Sequence, residues 1–298
     1  HTFYRRYNTM KFFSPKLFSA LKGYSASKLV SDLVAGIIVA IIALPLSIAL
    51  AIASGVSPQQ GLYTAIVAGF VIAFLGGSRV NISGPTAAFA TIVAGVVAAN
   101  GMEGLMLATV IAGILLVLMG AFKFGSLIKF IPYTITTGFT AGIAVTILIG
   151  QLKDFFGVTY PAGTAPIETT EKVAALFENI GTINWWSLLV GAVSLAVLIV
   201  WPKINKTIPA SLIAVLVGAV MVMLLPNNAG VQTIETTFGK LNSSLPTLNI
   251  PNFNLKMVRN ILPDAFTIAI LAAIESLLSC VVADGMTNSK HRSNMELI

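Results

Sequence analysis

The stretch "AILAAIESLLSCVVAD", residues 269–284, holds one carboxylate, Glu275, inside a run of Ala, Ile, Leu and Val. Ser279 follows one helical turn later, on the same face. A carboxylate and a hydroxyl so placed could bind a proton or a sodium ion; the alternative is a structural carboxylate hydrogen-bonded to a neighbouring helix. A second stretch, "NISGPTAAFATIVAGVVAANG" (81–101), could bind an anion. Gly84-Pro85 predicts a distinct helix start with Pro85 at the first helical position. From there to Ala99 the helix covers only ~22 Å. The free N–H groups of Thr86, Ala87 and Ala88, at the positive end of the helix dipole, would face a cavity. The alternative is a short tilted helix with no ligand.

Other chemistries find little support. The single cysteine, Cys280, lies in an apolar segment and excludes a disulfide framework, a cysteine zinc site and a CxxC redox pair. His1 and His291 make no histidine-rich metal centre. No HExxH, GxSxG or paired-carboxylate site occurs, so no enzyme and no cofactor are expected.

The elements that must carry these residues are membrane helices. Of 298 residues 56% are hydrophobic and 10% charged, with a mean hydropathy of +0.89; soluble domains carry about 25% charged residues. Runs long enough for ~30 Å of hydrocarbon lie near 32–53, 61–76, 104–122, 131–151, 185–201, 208–225 and 261–283. The run at 85–99 is shorter, and irregular backbone before it is tolerated at membrane depth only where protein or a water-filled cavity covers it. Eight membrane segments are expected.

The net charge of +7 follows this pattern rather than a nucleic-acid surface. With the N-terminus inside, the inner side holds Arg5, Arg6, Lys11, Lys16, Lys22, Lys28, Arg79, Lys123, Lys129, Lys203, Lys206, Lys290 and Arg292. The outer side holds only Lys153, Lys172, Lys240, Lys256 and Arg259. That excess predicts a cytoplasmic N-terminus and contact with anionic lipid. Residues 11–30 mix Phe and Leu with Lys and predict an interfacial helix.

On these residues the chain resembles the sulfate permease family of anion transporters. The matching elements are Asp32-x-x-Ala35-Gly36, Ala43-Leu44-Pro45, "SGVSPQQGLYTA" (54–65), "GGSRVNISGPTAAF" (76–89), "KFIPYTITTGFTAGIAV" (129–145) and "ESLLSCVVADGMT" (275–287). The resemblance implies an all-α integral membrane protein of fourteen segments in two inverted repeats of seven, of which this chain holds the first eight. A core domain would move against a gate domain. It further implies a cytoplasmic and interfacial segment at 1–30, core segments 1–4 at 31–130 and gate segments 5–7 at 131–225. An outer loop at 226–260 and core segment 8 at 261–298 would follow. Segments 9–14 and a STAS domain would lie outside the sequence, so the chain is expected to be a piece of a longer transporter.

The resemblance places the anion at Thr86, Ala87 and Ala88, and a coupling proton or sodium at Glu275 and Ser279. Where many members have Gln after the first-span proline, this chain has Leu46 and then Ser47, and Ser47 is taken to replace that polar contact. The expected function is secondary active transport of a small inorganic or carboxylate anion (sulfate, bicarbonate or dicarboxylate), coupled to protons or sodium, by a homodimer in the cell membrane. A passive anion channel or a voltage-responsive protein on the same scaffold is the alternative.

Overall fold

The computed structural model describes residues 14–126, 133–205, 207–226, 229–242, 244, 246 and 255–298. Among these the regular structure is helical throughout, as expected for a chain whose apolar runs must satisfy every backbone group internally in lipid. A short helix α1 (Lys16–Ala20) precedes α2 (Ala26–Ala53), α3 (Pro58–Leu75) and α4 (Ala87–Ala121). Then come α5 (Tyr133–Phe156), a peripheral α6 (Thr169–Glu178), α7 (Trp185–Ile204), α8 (Ala210–Leu224) and the short α9 (Ile234–Phe238). The long α10 (Leu255–Thr287) and short α11 (Ser293–Leu297) complete the order.

Several boundaries differ from expectation: the run at 208–225 forms only the 15-residue α8, and that at 261–283 lies within the 33-residue α10. Instead of one interfacial helix over 11–30, the chain turns at Gly23 (φ 74) between α1 and α2, and Ser25 caps α2 by accepting from the Lys28 N–H. Residues 11–13 lie outside the described residues. The half-helix begins at Ala87 rather than Pro85, with Thr86 extended at φ −128°, ψ 152° as its N-cap. Thr86 makes no side-chain capping bond there, its hydroxyl being turned to Glu275 instead.

The short segment is real. Gly101 (φ 66°, ψ −171°) interrupts α4, a conformation glycine adopts without a Cβ penalty. It separates a half-helix, 87–100, from a full span, 102–121.

The core joins α4 to α10. Val96, Leu107, Ala108 and Ala112 of α4 pack on Ile261, Ala265, Ile268 and Ala269 of α10. Alanines facing alanines let the two backbones approach closely, as small residues do between membrane helices. The alanine stripe starts on this face and then passes the packing to Ala273 and Leu277, which meet Leu297 of α11. That drift turns Glu275 and Ser279 toward the irregular segment before α4, and Ser276 toward Glu296 of α11.

Hydrogen bonds also sort the connections into two ends. At one, Lys16 N–H donates to the Gly76 carbonyl, Arg292 N–H to Gly77, and Gly125 N–H to the Asn294 side chain. At the other, Asn184 donates to the Phe156 and Ala229 carbonyls, and Tyr63 to the Ser244 carbonyl. The positive-charge count assigns these same two groups of loops to opposite sides. Burial first, and then the Arg292 and Arg79 charges, hold the Lys16 ammonium below its usual value at the first end.

Candidate functional site between the half-helix and the eighth span

Glu275 sits partly buried on α10, and its Oε2 accepts a hydrogen bond of 2.9 Å from the Thr86 hydroxyl. The two side chains are 189 positions apart in sequence. No described Lys, Arg or His is ion-paired to Glu275. The Thr86 hydroxyl thus faces the carboxylate and makes no capping bond back to its own helix. The first N–H groups of α4, which lack partners within the helix, are left without a side-chain cap.

Beside them is a cavity of about 280 Å³ lined by Ala87, Ala88 and Thr91 of α4 and by Gly142, Ile143 and Thr146 of α5. Small residues make this space: a larger side chain at 87 or 88 would fill it. The positive end of the half-helix and the hydroxyls of Thr91 and Thr146 suit a small anion. Phe89 instead packs against the α4–α10 core.

Ser279 lies one turn beyond Glu275, and its hydroxyl donates to Asn81 Oδ1 at 2.6 Å. Glu275 and Ser279 are therefore both tied to the segment that leads into the half-helix. Ser47 is only 3% exposed; its carbonyl lies where α2 crosses α3 at Gly61, and it is not among the residues lining the cavity. Among the described residues no cluster of three His, Cys, Asp or Glu could hold a metal ion. A sodium ion at Glu275 and Ser279 would rely on one carboxylate with hydroxyl and carbonyl oxygens, ligands a hard cation accepts.

Sequence reasoning missed two polar residues here. Asn81 Nδ2 donates to Glu296 Oε1 at 3.0 Å. Glu296, on α11, also accepts from Gly77 N–H at 2.7 Å and the Ser276 hydroxyl at 3.3 Å. An acid in the short apolar run "NMELI" was the one available signal.

These features define a multi-pass helical membrane protein built around a broken helix, whose uncapped start meets a carboxylate of another span. The chain belongs to the sulfate permease family, whose sequence profile it matches over residues 29–298. It is 40% identical over 282 residues to YvdB of Bacillus subtilis, a provisionally named sulfate transporter, covering 93% of this chain and 52% of that one. It is 32% identical over 259 residues to the bicarbonate transporter BicA of a Picosynechococcus species, covering 82% of this chain and 44% of that one. The chain therefore spans about half the length of the curated relatives it matches.

The transmembrane domain of a cyanobacterial BicA superposes with a TM-score of 0.76 at 29% identity, over 92% of this chain and 70% of that one. The murine Slc26a9 anion transporter in its inward-facing state shares the fold, with a TM-score of 0.80 at 21% identity over 97% of this chain and 52% of that one.

Proposed function

We propose that this chain is part of a secondary active transporter for a small anion of the sulfate, bicarbonate or dicarboxylate class, and contributes one side of its anion site together with its coupling-cation site. The observation that carries the reading is the 2.9 Å hydrogen bond between Thr86 and Glu275. It joins the anion-facing start of the half-helix to a carboxylate that costs roughly 3 kcal/mol or more to keep in a span. A charge retained at that cost, without a cationic partner among the described residues, fits a binding site for a coupling ion.

In this reading the anion lies against Thr86, Ala87 and Ala88, and the proton or sodium against Glu275 and Ser279. An empty site leaves a bare carboxylate and a helix dipole, both costly to carry through a low-dielectric barrier. With both ions bound the charges offset, and α2–α4 with α10 move as a body against α5, α7 and α8. The membership in a transport family and the bicarbonate and sulfate assignments of its relatives support the substrate class. The N-terminus faces the cytoplasm, the protein resides in the cell membrane, and the full-length assembly is a homodimer.

The test is uptake of labelled sulfate, bicarbonate and dicarboxylates by the full-length protein in proteoliposomes, with the sodium and pH gradients varied independently. Accumulation should follow one cation gradient and lose that dependence in Glu275→Gln. Passive flux indifferent to both gradients would favour a channel and sink the carrier reading.

A further inference from the structure

Ser279 can serve a cation only if its oxygen, rather than its hydrogen, faces the ion, and nothing in a serine by itself ensures that. The neighbouring side chains decide it. A hydroxyl has one proton and two lone pairs, a carboxamide has an acceptor oxygen and a donor NH₂, and an ionised carboxylate only accepts. Glu296 gathers three donors: Gly77 N–H, the Ser276 hydroxyl and Asn81 Nδ2. Since that carboxylate takes donors only, the Asn81 NH₂ must face it. The Asn81 oxygen is then turned to Ser279, where it accepts at 2.6 Å. The single proton of Ser279 is consumed in this bond, and the lone pairs of its oxygen remain for another partner. Thr86 is arranged alike, its proton spent on Glu275.

We infer that Asn81, locked by Glu296, is a positioning residue for the coupling-cation site, holding Ser279 as an oxygen ligand beside Glu275. The inference rests on the proposed cation role of Glu275 and Ser279. It assigns a purpose to two residues from the chain's polar turn and its far end. It also explains why Asn81 sits on the irregular strand that bears Thr86. One chain of hydrogen bonds, Glu296 to Asn81 to Ser279, spaces that strand from α10, and the Thr86–Glu275 bond closes it. Partners that orient a ligand in this way change ion affinity by about 10–100-fold when removed.

The experiment measures anion uptake by the full-length protein in proteoliposomes, first with sodium varied at fixed pH, then with pH varied in the absence of sodium. Whichever cation drives uptake in the unaltered protein supplies the half-saturation value to follow. Asn81→Ala should raise that value by about tenfold or more, with the maximal rate at saturating cation within about twofold. The exchange Asn81→Asp with Glu296→Gln reverses donor and acceptor between the two side chains while keeping an oxygen toward Ser279. It should bring the half-saturation value back to within about threefold of the starting protein. A structural role alone would lower the amount of folded transporter or the maximal rate, and would leave the cation half-saturation unmoved.

If Asn81→Ala does not reach the membrane, Asn81→Leu, which fills the same space without polar atoms, makes the same measurement. An unchanged half-saturation value in the folded single variant, or a double exchange that folds without recovering it, overturns the assignment of Asn81. Glu275→Gln separates this failure from that of the underlying reading. If Glu275→Gln abolishes cation dependence while Asn81→Ala leaves it intact, only the role of Asn81 falls. If Glu275→Gln keeps cation dependence, the coupling site itself is misplaced and the inference falls with it.

Discussion

Thr86, the N-cap of the half-helix, gives its hydroxyl proton to Glu275, on a span that begins more than a hundred residues later. Among described residues this is the hydrogen bond that holds the Glu275 side chain, so removing it should be felt at the proposed cation site. Thr86→Val keeps the volume and deletes the donor. Cation half-saturation should rise by about tenfold, and titration of uptake against sodium and against pH reads the change. An unaltered titration would detach Thr86 from the site.

The small cavity beside the half-helix predicts that size and charge at position 88 decide anion binding. Ala88→Glu places a carboxylate where an anion would lie and fills part of the about 280 Å³. Anion half-saturation should rise by about tenfold or more, equivalent to at least about 1.4 kcal/mol. Ala88→Gly, which adds neither charge nor bulk, should stay within about threefold. Equal anion affinity in the Glu variant and the starting protein would place the anion elsewhere.

Sidedness is open to a labelling test. Thr164 lies exposed in the connection between α5 and α6, and Lys123 in the turn after α4. Cys280 is fully buried and is removed first, as Cys280→Ser. Single cysteines at 164 and 123 should then differ on intact cells: an impermeant maleimide labels the first and spares the second. The reverse pattern would invert the orientation drawn from positive charge.

Gly61 makes the crossing of α2 and α3 possible. A Cβ there would come within 2.2 Å of the Ser47 carbonyl oxygen and 2.8 Å of the Ala51 Cβ. Backbone cannot yield as a side chain can, so Gly61→Ala should cost on the order of 1–3 kcal/mol. Thermal unfolding of the purified protein in detergent reads this loss. Gly36→Ala is the control, because a Cβ at Gly36 meets nothing within 4 Å.

The peripheral helix α6 should loosen in acid. Glu171 accepts hydrogen bonds from the Ile167 and Glu168 N–H groups, and these hold its carboxyl below the usual value. A depressed folded value means that the contribution is complete above the ordinary carboxylate range and fades as pH falls through the folded value. Hydrogen exchange of the first-turn amides of α6 should therefore accelerate in acid beyond the ordinary pH trend. Glu171→Gln should remove most of that added dependence.

Much of the architecture was legible because the bilayer imposes so few solutions. A chain this apolar, punctuated by basic loops, must fold as spanning helices, and among the described residues five helices are long and apolar enough to cross a membrane. The half-helix was visible in Gly84-Pro85 and in a run too short to span. The polar lining of the site was less legible. Ser47, expected as a substrate contact from its place after Pro45, is buried, with its carbonyl at the α2–α3 crossing by Gly61.

By itself, then, the sequence determined the apolar segments suited to the membrane, the uneven charge between their two ends, the broken helix near Gly84-Pro85, and the cost of placing Glu275 in a span. Each follows from local length, hydropathy and backbone chemistry. Only the tertiary structure decided that Thr86 meets Glu275, that Asn81 stands between Ser279 and Glu296, and that the Ser47 carbonyl lies at the crossing with Gly61. These depend on how α4 and α10 rotate as alanine packs on alanine. A rotation about a helix axis leaves hydropathy unchanged, so the sequence pattern carries no record of it until the partner helix is in place.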